Sequence, residues 1–284
     1  MLCQHYQLTI HIKIHHQRHN MQSLANKTNS DYFFANGSAG LGVAVGELWT
    51  PAALTTSLWL DAADASTVTL NSGNVSAWND KSGNARHATQ ATAASQPLYA
   101  TNALNGLNVV RPDADEEFLG LNAALASGSI FIVYSTESGQ TGPTNKWLFG
   151  DRPGLTRLYH FHGGFSESLL FSSIVSLAVN GSPASARVNG TAIAPLDVTK
   201  TTAHTILALT QLKAGGPWYF SALGTDNLTP SDSSWRGDYA EVIVLPAAAT
   251  TTQTELLEGY FAWKWGLVAS LPNNHPYKNR IPRL

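Results

Sequence analysis

Gly237-Asp-Tyr-Ala-Glu-Val-Ile-Val-Leu245, then Glu255-Leu-Leu-Glu-Gly-Tyr-Phe-Ala-Trp-Lys-Trp-Gly-Leu267 and His275-Pro-Tyr277, close the chain and decide its fold. Tyr239, Glu241, Ile243 and Leu245 alternate with Ala240, Val242 and Val244. A β-branched run of this kind, stopped by Pro246, predicts a strand buried on at least one face and central in its sheet. Thr252-Gln-Thr-Glu255 has the spacing of a capping box, so a helix is expected to start there. Leu256, Leu257, Tyr260, Phe261 and Trp265 recur at helical spacing, Glu255, Glu258 and Lys264 form a polar side, and Gly266 is placed to end the helix. One short amphipathic helix therefore follows the last strand, and its aromatic face must lie on a sheet or rim.

Upstream, the text is that of strands and turns. Ser57-Leu-Trp-Leu60, Val68-Thr-Leu70, Leu107-Asn-Val-Val110, Phe118-Leu-Gly-Leu121, Ser129-Ile-Phe-Ile-Val-Tyr-Ser135, Thr202 to Leu209 and Trp218-Tyr-Phe220 read as strands. Trp147-Leu-Phe149, Leu158-Tyr-His-Phe161 and Ser168-Leu-Leu-Phe171 are the expected neighbours of the 129–135 strand. Asn180-Gly181 signals a type I′ hairpin. No internal repeat is present, which argues against a propeller or solenoid.

A chain of 284 residues suits one large β domain, burying about 75% of its unfolded surface, and leaves no room for a second full domain. Charged residues make up 13% and the net charge is −2, so there is neither a basic field for nucleic acid nor a polybasic patch for a membrane. No apolar run approaches the length of a membrane-spanning helix, and the single Cys3 permits no intrachain disulfide. The first twenty residues form a cationic, His-rich arm, for which Met21 is an alternative start. Residues 21–47 are aromatic and Gly-rich without periodicity. The expected organisation is an arm over 1–47 that attaches to a particle or to neighbouring subunits, and one domain over 48–284.

The closing segments, together with Leu48-Trp-Thr-Pro-Ala52, Leu58-Trp-Leu-Asp-Ala62, Trp78-Asn-Asp-Lys-Ser-Gly-Asn84, His87-Ala-Thr-Gln90 and Arg187-Val-Asn-Gly190, resemble the laminin-G-like domains of the concanavalin A-like lectin/glucanase superfamily, as found in phage virion proteins. The resemblance spans 48–284. It implies an all-β fold, a two-sheet antiparallel jelly-roll sandwich with a short C-terminal amphipathic helix. It also implies display on a virion surface, as a tail fibre, spike or head decoration. Partners would then be other virion proteins, further copies of the chain in a homo-oligomer such as a trimer, and host-surface polysaccharide. A lectin-like module on a bacterial cell surface is the alternative.

Candidate sites follow from this. Asp80, Ser82 and Asn84 offer oxygens at alternate positions of a tight loop, and Asp113 and Asp115 lie in an acidic cluster. Both are weak candidates for Ca2+, the ion often found in the superfamily. Trp147, Tyr159, Trp218, Tyr219 and Trp235 are candidates for stacking on a sugar. His160 and His162 share a strand face but lack further ligands. Superfamily glucanases pair carboxylates on a strand, whereas Asp113-Ala-Asp-Glu-Glu117 follows Pro112 and lacks that frame, so a diverged glycosidase using Glu117 is the outlying reading. No nucleophile with its base, Walker loop or His-Glu-x-x-His site is present, and the expectation is a chain that is not an enzyme.

Overall fold

The computed structural model describes residues 47–138, 146–150, 161–163, 170, 185–210, 218–225 and 234–283. Its strands are β1 (Leu58–Asp61), β2 (Val68–Asn71), β3 (Asn74–Trp78), β4 (Ala88–Thr89), β5 (Leu98–Leu104), β6 (Leu107–Arg111), β7 (Leu119–Ser127), β8 (Ser129–Tyr134), β9 (Lys146–Gly150), β10 (Phe161–Gly163), β11 (Ser185–Val188), β12 (Thr191–Ile193), β13 (Thr205–Thr210), β14 (Trp218–Leu223) and β15 (Tyr239–Leu245). Among the described residues one α-helix, α1 (Thr251–Lys264), follows.

The strands form one antiparallel ladder in the order β10-β9-β14-β7-β4-β3-β5-β6-β15-β8-β13-β11-β12, with β1 also on β15 and β2 on β3. The ladder folds back on itself. Leu58, Leu60, Ile130, Ile132, Leu207, Leu209, Val242 and Val244 from one stretch meet Val75, Trp78, Leu121, Leu148, Phe149 and Leu223 from the other in a single core. Across that core the Tyr239 hydroxyl donates to the Leu148 carbonyl at 2.8 Å. The result is an all-β sandwich with one C-terminal helix.

β15 is central, as its sequence predicts: β8 pairs along one side, while β1 and then β6 pair along the other. All seven of its residues are buried. Val242 and Val244 face the sandwich core, which leaves Glu241 and Ile243 on the opposite face, where α1 covers them. The partners of β8 differ from expectation, since they are β13 and β15 rather than the 147–149 strand. Both partners, like β8, are buried along their whole length.

The helix starts two residues earlier than its sequence suggests. Thr250 is the N-cap: its hydroxyl accepts from the Gln253 amide at 3.2 Å, and the Gln253 side chain accepts from the Thr250 amide at 3.0 Å. Thr250 closes the same reciprocal box two residues sooner than Thr252 would, with Gln253 in place of Glu255. At the other end Gly266 adopts φ +72°, and the Leu267 amide reaches back to the Ala262 carbonyl at 2.8 Å, which satisfies a terminal carbonyl.

The helix is not amphipathic in the expected sense. Glu258 and Lys264 are buried along with Leu257, Tyr260, Phe261 and Trp265, because both charges point inward to partners. The tail then straps the outer side of α1. A methyl group on Gly259 would stand 2.6 Å from the Tyr277 ring, so helix and tail approach closer there than any side chain permits.

Candidate functional site

Beneath α1 lies a buried ionic network. Lys264 donates to Asp61 Oδ1 at 2.6 Å, to Glu241 Oε2 at 2.7 Å and to the Tyr260 hydroxyl at 3.1 Å. Glu241 also accepts from the Trp59 indole (2.7 Å), the Tyr260 hydroxyl (3.0 Å) and the Trp265 indole (2.8 Å). Lys81 bridges Asp61 Oδ2 and Asp64 at 2.9 and 2.8 Å, and sits over the Trp59 ring. Burial works against the Asp61 charge, but Lys264 and Lys81 outweigh it and hold the carboxyl below its ordinary value. Burial and then the Asp61 charge push the Glu241 carboxyl up.

Two further ion clusters fasten loops to the sandwich. Arg187 forks onto Glu258 at 2.7 and 3.0 Å. His275 Nδ1 accepts from the Tyr277 amide, so its Nε2 proton is donated to Glu258. Just before β15, Asp238 accepts from Arg111 Nε and Nη2 and pairs with His204 Nε2, the last at 2.8 Å.

Burial opposes the Asp238 charge, but the His204 and Arg111 hydrogen bonds outweigh it and hold this carboxyl below its ordinary value. A carboxyl lowered by folding contributes stability that is complete above its unfolded value and is lost as pH falls through the folded one. Asp238→Asn is therefore expected to flatten the acid limb of the stability profile below about pH 4, read from urea midpoints along a pH series.

The calcium candidates are otherwise engaged. Asp80 Oδ1 accepts from the Trp59 and Ser82 amides at 2.9 Å each, and Oδ2 accepts from the Ser82 hydroxyl (2.7 Å) and the Arg86 amide (3.1 Å). Asn84 turns its amide nitrogen to the Thr56 and Ser57 carbonyls and to Ser82. The donors occupy the oxygen sites a cation would need, and the 79–84 loop acts as a clamp on β1. Asp115 pairs with Lys146 at 2.7 Å, and Glu117 accepts from the Asp113 and Ala114 amides, which makes the acidic cluster a self-bonded turn. Among the described residues no group of three or more His, Cys, Asp or Glu is arranged for a metal.

The glycan candidates fare unevenly. Trp147 and Trp235 are 6% and 0% exposed, and the Trp235 indole donates to the Ser135 carbonyl at 3.3 Å. Neither ring has a face open to a sugar: Trp235 fills the sandwich core, and Trp147 is buried on β9 beside it. Trp218 and Tyr219 stand on β14 opposite Ser127 and Ala126. Tyr159 and His160 lie outside the described residues.

An open groove forms instead where α1 meets the tail. Its volume is about 670 Å³, and Trp263, Tyr277, Asn279, Arg280, Ile281 and Arg283 line it. The Trp263 indole donates to the Tyr277 carbonyl at 2.8 Å, which fixes both aromatic residues. Arg280 lies over the Tyr277 ring at 5.3 Å and donates from Nε to the Pro276 carbonyl, which leaves its two terminal nitrogens without a partner among the described residues. Lys278 caps the Val268, Ala269 and Leu271 carbonyls from within the same basic segment. These residues were missed in the sequence because Trp263 falls off the apolar stripe of α1. An aromatic on the outward side of a helix, followed by a tail with three cations in six residues, was the available signal.

No protein-family model and no curated protein matches the chain. Among solved structures it is similar to the Trypanosoma rangeli sialidase in complex with sialic acid, at 11% identity and a TM-score of 0.40, over 82% of this chain. The match spans 37% of that sialidase chain. The expectation of a chain that is not an enzyme is withdrawn on this finding, since the matched structure is that of an enzyme. A likeness at this identity and TM-score transfers neither a residue nor an activity.

Proposed function

We propose that the chain is a surface-display protein of a phage particle, whose sandwich contacts acidic glycans of the host through the groove between α1 and the tail. The resemblance to laminin-G-like virion domains supports the setting. The observation that carries the ligand class is the groove itself: two fixed aromatic residues beside Arg280, with unpaired terminal nitrogens, and exposed Asn279. Aromatic faces take the apolar face of a sugar ring, and a guanidinium fork matches a carboxylate. The basic tail sets a local positive field on a chain whose net charge is −2.

Calorimetry with polygalacturonate and with its methyl ester tests the reading. The acid form is expected to bind and the neutral ester not, with Arg280→Ala weakening binding by about tenfold or more, the weight of one charge-assisted contact. Equal binding of the ester, or no change in Arg280→Ala, contradicts it. The display role further requires an oligomer, so elution of the intact chain as a monomer on gel filtration counts against that part. Antibody labelling of the particle under the electron microscope tests its place.

A further inference from the structure

Asp61, Glu241 and Lys264 reach one point from three elements. Asp61 and Glu241 are register partners on β1 and β15, and Lys264 comes down on them from the last turn of α1. The amine lies 2.6 Å from Asp61 Oδ1, which bounds its distance to the carboxyl carbon at about 3.9 Å, so that a shift of a few tenths of an ångström brings the two atoms into the near-attack range. Glu241 Oε2 touches the same amine at 2.7 Å. Trp59, Tyr260 and Trp265 wall the site, where Asp61 is 4%, Lys264 8% and Glu241 0% exposed.

We propose that Lys264 and Asp61 condense into an intramolecular isopeptide bond, with Glu241 carrying the proton between them. The reaction starts from the Lys264 ammonium and the Asp61 carboxylate. Glu241 takes one ammonium proton, and the freed electron pair on Nζ attacks Asp61 Cγ to form the C–N bond. The Cγ–Oδ1 bond then breaks, and Oδ1 leaves as water with two of the three ammonium protons, one of them returned through Glu241. The third stays on the amide nitrogen. Charge balances, since a cation and an anion become a neutral amide, and no oxidant or reductant enters.

The surroundings fit each step. Lys81 donates to Asp61 Oδ2 at 2.9 Å, the oxygen that remains as the amide carbonyl and carries negative charge while Cγ is tetrahedral. In water the two ions are too well solvated to condense. Here burial has removed that solvation, and the amide relieves the cost of keeping both charges in a dry site. The upward shift of the Glu241 carboxyl makes it a better proton acceptor toward Lys264. The bond would join residues 203 positions apart, so that α1 could not lift from the sheet without a covalent bond breaking.

Intact-mass measurement and peptide mapping of the denatured full-length chain test this. The folded wild-type protein is expected to be lighter than its sequence by one water. Its tryptic map should contain a branched peptide joining the Asp61 and Lys264 segments, with no cleavage after Lys264. Lys264→Arg keeps the charge without a reactive amine and is expected at full sequence mass. Glu241→Gln should form the bond slower by about 10²-fold or more, the weight of a positioned proton carrier. Full mass in the wild type after prolonged incubation, with Asp61 and Lys264 in separate peptides, overturns the proposal. Water loss confined to an unbranched Asp61 peptide does so as well, since that is a succinimide at Asp61-Ala62. Conversion of Glu241→Gln at the wild-type rate removes Glu241 from the mechanism.

Discussion

Lys264→Met is expected to destabilise the protein by about 3–5 kcal/mol, seen as a lower denaturant midpoint, because it strands Asp61 and Glu241 as buried groups without their cation. The substitution preserves volume and apolar stem, so packing loss contributes little. What remains is one carboxylate with Lys81 and the Ala63 amide, and another held by neutral indoles and a phenol. Adding Asp61→Asn and Glu241→Gln to the same chain removes the stranded charges and is expected to recover part of the loss. A midpoint unchanged by Lys264→Met would mean that Lys264, as ion or as amide, is not what holds α1 to the sheet.

Trp235→Ala is the second large effect, at about 3–5 kcal/mol. Its ring is wholly buried beside Tyr134, with centroids 6.1 Å apart, and its indole donates to the Ser135 carbonyl, so truncation leaves a cavity and removes one of that carbonyl's two donors, the Asp238 amide remaining. Urea unfolding measures it. The size of that loss also decides what Trp235 means for ligand binding: a variant that no longer binds sugar would report an unfolded sandwich rather than a missing stacking partner. Arg280, exposed in the groove, gives a cleaner probe.

The physical reasons some of this architecture is visible in the amino-acid text differ from element to element. β8 and β15 are legible because both of their faces are buried, so they appear as runs rich in β-branched and aromatic residues, with Glu241 the one charge among them. β3 is not legible: Asn74-Val-Ser-Ala-Trp78 buries only Val75 and Trp78, and a register shift against β2 breaks the alternation. β4, two residues long, carries no pattern at all.

The ionic network was hidden for another reason. Glu258 and Lys264 read as a solvated helix side because charges seldom lie inside unless paired, and their partners Arg187 and Asp61 stand 71 and 203 residues away. The same limit applies to the weak calcium candidates of the 79–84 loop. A sequence shows that Asp80 has oxygens to offer, but not that four donors already occupy them.

α1 is locked to the face of β15 as part of the sandwich rather than lying loosely over it. Native-state hydrogen exchange resolved by residue tests this most directly. The amides of Thr254 to Lys264 are predicted to be protected as strongly as those of β8 and β15, and to open only with them. Exchange of the α1 amides ahead of an intact, still protected β15 would contradict it.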